Sequence, residues 1–271
     1  MTSLLSIFNL AALLPFAAAW TQAAGSDESL VSMGHLHLIV RDVEASKKFW
    51  TALGAIPLAL GAIEAAKFPG ALVLLRKGDP SGGALGSVVN HVAFIVPNVQ
   101  QSMQKWKAAG LKTQPGSSPQ QGFVFTPDDL IKIEIMENAS LRVPIAFHHL
   151  HFFVMEPILG GASAVADMQS WYARMFGAKP GKRGQFDAAD LPGVNLTFSK
   201  SETPAAGTKG RALDHIGFEV QNLEAFFRKA ETSGVKFDAP YTKRPELGIA
   251  TAFLTDPWGT YIELHEGLNR L

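Results

Sequence analysis

Across this 271-residue chain, a histidine is followed five residues later by valine and seven residues later by Asp, Asn or Glu, four times over. The copies are His35-Val40-Asp42, His91-Val96-Asn98, His149-Val154-Glu156 and His215-Val220-Asn222. Half of the eight histidines thus hold one repeated position, a phase that scattered core or surface histidines would not keep. Repetition at a fixed spacing marks a repeated supersecondary unit, so it constrains the fold before any single residue is weighed.

Each histidine opens an apolar run: HLHLIV, HVAFIV, HLHFFV and HIGFEV. Runs of this length, rich in Val, Ile and Phe and closed by Asp or Asn, predict half-buried strands. Asp42, Asn98 and Asn222 then suit the N-cap of a helix, where a side-chain oxygen accepts from a free backbone N–H. Amphipathic segments follow (VEASKKFWTALG, VQQSMQKWKAAG, LEAFFRKAETSG) with Trp50, Trp106 and Phe227 among their apolar residues. They close at Gly54, Gly110 and Gly234, each nineteen residues after its histidine, where glycine tolerates a left-handed backbone. The third copy closes at Gly177, twenty-eight residues on, because PILGGASAV lengthens its strand–helix loop.

Shorter strand-like runs follow each helix, so the unit reads strand, helix, then three strands, an α+β chain. Copies one and three close alike, with FPGALVLLRK and LPGVNLTFSK, and copies two and four with TPDDLIKIEI and TDPWGTYIEL. This alternation predicts a duplicated pair, with domains over 31–139 and 146–271 and a boundary around Ser140–Pro144.

Composition removes several function classes. Lys+Arg and Asp+Glu balance at 24 each, and no basic cluster or zinc-knuckle spacing points to nucleic acid. Cysteine is absent, which excludes thiolate nucleophiles, thiolate ligands and disulfides. The apolar run Leu4–Trp20 is short for a membrane span, is interrupted by Asn9 and Pro15, and is followed by small residues before Gly25. It reads as a signal peptide over 1–24, although no Lys or Arg precedes Arg41. The expectation is an exported protein, periplasmic or secreted, with no stable membrane insertion after the signal is removed, acting as a monomer or homodimer.

Side chains alternate across a strand, so His149 and His151 share a face, as do Tyr261, Glu263 and His265. If the sheets of two modules curve together, each half brings two opening-strand histidines to one closing-strand glutamate. The expected sets are His149, His215 and Glu263 in the second half, and His35, His91 and Glu134 in the first. Two imidazoles and a carboxylate suit Fe(II) or Mn(II), or else Zn(II) or Ni(II), with positions left for water or substrate. The carboxylates lie in apolar strands, IEI and IEL, where an unpaired charge is costly and a cation is the natural partner. Lys132, two residues before Glu134, would compete with a metal or recruit an anion. Tyr261, His265 and His151 are candidates for proton transfer, which favours the second half as the main site.

These residues resemble the vicinal oxygen chelate superfamily, which includes glyoxalase I, bleomycin-resistance proteins and extradiol dioxygenases. The closing TDPWGTYIEL is similar to its recurrent ending. The resemblance implies four βαβββ modules arranged as two tandem paired-module (glyoxalase-like) domains, whose curved mixed β-sheets form cups that hold a divalent ion. It implies ligand roles for His149, His215 and Glu263 and, by duplication, for His35, His91 and Glu134. This chain departs from the pattern at Phe253, where ring-cleaving members have tyrosine. It also departs near Leu74 and Thr197, where glyoxalases and epimerases place a further Glu or Gln. The expected function is a dioxygenase-like enzyme acting on a small chelating substrate. The alternatives are a lyase or isomerase on the same metal, or a metal-free ligand-sequestering protein.

Overall fold

The computed structural model describes residues 30–156 and 163–270; the expected signal segment 1–24 lies outside them. Four βαβββ modules follow one another. The first comprises β1 (Val31–Val40), α1 (Val43–Leu53), β2 (Ile56–Leu60), β3 (Ile63–Phe68) and β4 (Ala71–Lys77). The second comprises β5 (Val89–Val96), α2 (Val99–Ala108), β6 (Lys112–Pro115), β7 (Gln121–Phe125) and β8 (Lys132–Glu137). The third comprises β9 (Ala146–Met155), α3 (Ala164–Phe176), β10 (Lys179–Arg183), β11 (Phe186–Leu191) and β12 (Val194–Ser201). The fourth comprises β13 (Leu213–Val220), α4 (Leu223–Thr232), β14 (Ala239–Arg244), β15 (Ile249–Thr255) and β16 (Tyr261–Glu266).

The predicted caps form. Asp42, Asn98 and Asn222 accept from the backbone N–H of Ala45, Gln101 and Ala225, each three residues into its helix. In the third copy Ser163 is the N-cap, and Glu156 reaches over to accept from Ser163 Oγ at 2.7 Å and from the Ala164 N–H at 2.8 Å. All four closing glycines adopt positive φ.

The modules pair differently from expectation. One eight-stranded sheet runs β14-β15-β16-β13-β1-β4-β3-β2 and the other β10-β11-β12-β9-β5-β8-β7-β6. The first and fourth modules therefore share a flanking sheet, joined by antiparallel β1 and β13, and the second and third share a central sheet, joined by antiparallel β5 and β9. The tandem arrangement of cups is corrected on both counts. The stretch around Ser140–Pro144 connects two modules of one sheet, and both sheets are open, ending at β14 and β2 and at β10 and β6. All four edge strands contain a proline (Pro57, Pro115, Pro180, Pro240), which cannot donate to a further ladder and so terminates pairing.

The connections between modules explain the pairing. Residues 78–88 and 202–212 run beside each other through Ser81 N–H to Gly210 O (2.8 Å), Ala212 N–H to Gly82 O (2.9 Å) and Val88 N–H to Ala206 O (2.9 Å). Two reciprocal turns then fasten the sheets together. Pro69 O accepts from the Phe147 N–H and Pro192 O from the Met33 N–H, both at 2.9 Å. Gly70 and Gly193, which follow these prolines, hold φ +96° and +82°; a Cβ there would lie 3.4 Å from Phe147 and 3.2 Å from Met33, so the turns need glycine.

The core lies on the helix-facing sides of the sheets. Leu36, Ile216, Ile262 and Leu264 line it in the flanking sheet, and Val92, Ile133, Leu150 and Phe152 in the central sheet. Aromatic rings join the two halves of the core, with Phe68 of β3 against Phe94 of β5 at 4.7 Å and Phe176, at the end of α3, against Phe218 of β13 at 5.2 Å between centroids. Tyr172 of α3 donates its hydroxyl to Asp256 Oδ2 at 2.9 Å, and Asp256 also accepts from the N–H groups of Trp258 and Thr260. Among the described residues, no helix is long and apolar enough to cross a membrane.

Candidate metal centres

The histidines stand on the sheet faces opposite the core, because strand alternation that sends Leu36 and Leu38 inward sends His35 and His37 to the other side. Two four-residue clusters result, each with ligand-type atoms within 4.8 Å of one another: His35, His37, His215 and Glu263 in the flanking sheet, and His91, His149, His151 and Glu134 in the central sheet. The structure thus brings His215 to Glu263 and His91 to Glu134, as the sequence predicts, but exchanges the third member. His35 joins Glu263, and His149 joins Glu134. Every set still contains two opening-strand histidines and one closing-strand glutamate, since each sheet combines one odd and one even module.

In the flanking cluster Glu263 Oε2 lies 3.0 Å from His215 Nε2 and 3.2 Å from His35 Nε2, the latter without hydrogen-bond geometry. His37 faces His215 across the β1–β13 ladder, and the two rings stack at 4.4 Å. Both nitrogens of His35 and of His37 are buried without a hydrogen-bond partner. Burial lowers His35 to about 4 against the opposing pull of Glu263, and lowers His37 to about 3, so both rings are neutral near pH 7. Burial alone would raise Glu263, but the hydrogen bond with His215 and the close approach of His35 outweigh it and hold the carboxyl well below its usual range. The neutral, unpartnered rings of His35 and His37 beside the Glu263 carboxylate and His215 fit a divalent ion.

Behind this cluster, His215 Nδ1 meets Asp214 Oδ2 at 2.7 Å, and Asp214 also accepts from the Gly210 N–H. Burial opposes the charge on His215, yet Asp214 and Glu263 together raise its pKa. A carboxylate on Nδ1 fixes the tautomer and turns Nε2 toward the site, a common support for a metal-bound imidazole. Glycines supply the room: a Cβ at Gly217 would fall 2.1 Å from His35 Cε1, and one at Gly34 2.2 Å from His265 Nε2. His265 Nδ1 meets Glu219 Oε2 at 2.7 Å, and its ring lies 5.0 Å from that of His35. Tyr261 is half-buried with its ring edge-on to His215 at 5.6 Å.

The central cluster has the same donors in more occupied surroundings. Glu134 Oε2 lies 3.3 Å from His91 Nε2 and 3.2 Å from His149 Nε2, and Glu134 Oε1 accepts from Gln121. His151, expected to transfer protons, instead sits among the ligand-type groups, 3.2 Å from His91 and bonded to Ser199 Oγ at 2.8 Å. His91 Nδ1 is backed by Asn90 at 2.9 Å, the position that Asp214 holds in the flanking sheet. Arg183 places Nη2 3.2 Å from His149 Nε2, where it competes with an ion for that lone pair. Burial lowers His149 to about 4 and His151 to about 2. A cavity of about 480 Å³ opens beside this cluster.

Sequence reasoning missed His37, Asp214, Asn90 and Arg183. The first three carried a signal: His-Leu-His recurs at 35–37 and 149–151, and Asp-His and Asn-His stand at 214–215 and 90–91. The absent second carboxylate is explained by register, because Leu74 lies opposite His37 and Thr197 opposite His151, where the even modules place Glu263 and Glu134 opposite Gly217 and Ala93.

Residues 162–264 match the model of the Glyoxalase/Bleomycin resistance protein/Dioxygenase superfamily. No curated protein matches the chain in sequence. Among solved structures, glyoxalase I from Zea mays is similar with TM-score 0.65 at 16% identity, over 88% of this chain and 93% of that one. A putative dioxygenase from Bacillus subtilis subsp. subtilis str. 168 is similar with TM-score 0.65 at 14% identity, over 87% of this chain and 85% of that one. At these identities the likeness is one of fold. This likeness of fold covers nearly the whole described chain.

Proposed function

We propose that this chain, which matches the glyoxalase/bleomycin resistance/dioxygenase superfamily, is a divalent-metal-dependent enzyme of dioxygenase type acting on a small oxygen-bearing, chelating molecule. The carrying observation is the flanking cluster, where His35 and His215 converge on Glu263 while the nitrogens of His35 and His37 stay buried without partners. His35, His215 and Glu263 would hold the ion, with His37 beside them. Fe(II) or Mn(II) suits this set best. Bound there, the ion supplies a Lewis acid for adjacent substrate oxygens and sites for further ligands.

The chain's own residues do the rest. Asp214 keeps His215 in one tautomer and orientation. Glu219 anchors His265, whose ring backs His35. Tyr261, half-buried next to His215, has the hydroxyl we assign to proton exchange with substrate. The single carboxylate per cluster supports the oxygenase reading. A second reading, a lyase or isomerase on the same ion, is favoured by His37, because a fourth donor leaves fewer positions for dioxygen.

Metal analysis of the purified chain tests the class. Protein that carries no divalent ion, and whose properties are unchanged in Glu263→Ala, overturns the enzyme reading in favour of a sequestering protein. Oxygen consumption with catechol as probe supports the oxygenase, whereas turnover of a 2-hydroxy ketone without oxygen uptake supports the isomerase. We also propose export through Leu4–Trp20, tested by N-terminal sequencing of the protein after expression in a secreting host.

A further inference from the structure

The cavity of the central sheet is walled from two modules, and both walls have the same composition. On one side Lys132 of β8 places its ammonium 4.9 Å from the centre of the Phe123 ring on β7. On the other, Arg183 of β10 lies 5.6 Å from the centre of the Phe186 ring on β11. All four side chains line the cavity, and Met136 adds apolar surface. Its volume of about 480 Å³ falls within the ~300–1,000 Å³ range of small-molecule sites.

Arg183 directs its donors to Thr197 Oγ1, Met136 Sδ and His149 Nε2, none of them anionic. Two carboxylates line the same space but are engaged elsewhere. Glu134 is turned to His91, His149 and Gln121, and Glu137 Oε2 accepts from the Val99 N–H at the start of α2. The cavity therefore holds two cations whose contacts are aromatic faces and neutral atoms. Both cations are half-buried, with the Glu134 carboxylate the one opposite charge acting on them, and an anion entering the cavity would give each a charge-assisted partner.

We propose that this cavity binds a small organic monocarboxylate with an aromatic or apolar body, its carboxylate taken by Lys132 and Arg183 and its body packed against Phe123, Phe186 and Met136. An arginine fork matches the geometry of a carboxylate, and the aromatic walls match a flat apolar body. A monoanion is selected over a dianion because Glu134 and Glu137 stand in the same lining and repel a second negative charge. The site uses none of the flanking cluster's donors. It goes beyond the metal-dependent reading and can fail without it.

Titration calorimetry of the full chain, freed of metal with a chelator, tests this with benzoate, its neutral analogue benzamide, and inorganic phosphate. Benzoate is expected to bind saturably, and at least about tenfold more tightly than benzamide or phosphate, as loss of a charge-assisted hydrogen bond implies. Arg183→Gln and Lys132→Gln should each weaken benzoate by about tenfold while leaving benzamide unchanged. Equal affinities for benzoate and benzamide, no saturable benzoate binding, or undiminished binding in both variants would overturn the proposal. Phosphate binding as tightly as benzoate would overturn its organic part. Should Arg183→Gln fail to fold, Lys132→Gln decides the matter alone, with Lys132→Arg expected to restore binding. The ion is absent throughout, so failure here leaves the metal-dependent reading standing, and absence of metal in the native protein leaves this one standing.

Discussion

The flanking and central sheets present the same inventory, three histidines and one glutamate, yet their surroundings differ in three respects. The flanking set backs its even-module histidine with an aspartate, leaves imidazole nitrogens unpartnered, and has Tyr261 for a neighbour. The central set backs the equivalent histidine with an asparagine, satisfies His151 through Ser199, and brings Arg183 onto His149 beside an open cavity. Duplication thus keeps the donors, while the residues around them differ between the two sheets.

The largest expected effect is shared by both clusters and sets their common baseline. His35 and His149 are lowered to about 4, so in the metal-free protein they are neutral when folded and protonate near 6.5 when unfolded. The unfolded chain binds more protons between those values. Stability is fully present above about pH 6.5 and falls by up to about 1.4 kcal/mol per pH unit for each such histidine as pH drops toward 4. Thermal melts of metal-free protein from pH 7 to pH 4.5 should show this fall, and flat melting temperatures would contradict the buried neutral rings. Saturating Mn(II) at pH 7 should raise the melting temperature.

Next in size, Glu263→Ala should cost the flanking site at least about a hundredfold in Mn(II) affinity, while Glu134→Ala leaves that affinity within a few-fold. Equal losses in the two variants, by calorimetry, would erase the distinction between the sheets. A reciprocal exchange sharpens it. Asp214→Asn should weaken the flanking site about tenfold, and Asn90→Asp should strengthen the central site by a similar factor. The smallest effect is expected from Arg183→Met, which frees His149 Nε2 and should raise central-site metal affinity several-fold. No change there would mean that the guanidinium does not guard that lone pair.

The sequence made the module, the strand faces and the composition of each donor set legible, because histidine phase, Pro-Gly turns and IEI/IEL strands all repeat. The alternating closing strands point to one domain over 31–139 and another over 146–271, whereas the sheets combine the first module with the fourth and the second with the third. That choice rests on backbone bonds between 78–88 and 202–212, such as Val88 N–H to Ala206 O, which leave no side-chain signature. The turn at Ser140–Pro144 looked like a domain boundary for the same reason. Arg183 was invisible as a site residue because its strand is polar and exposed, and only register carries it to His149.

The order of modules also sets a timetable. The central sheet is built from residues 89–201, an uninterrupted stretch that can pair as soon as it has been synthesised. The flanking sheet draws its other half from 213–266, so β1–β4 must wait, with apolar faces exposed, until the last strand arrives. His35 and Glu263 are separated by nearly the whole described chain, and the long loop they close slows folding. A ribosome-bound or prematurely ended chain can therefore own a finished central cavity while the flanking donors are still unassembled. The flanking donor set is the last part of this fold to be completed.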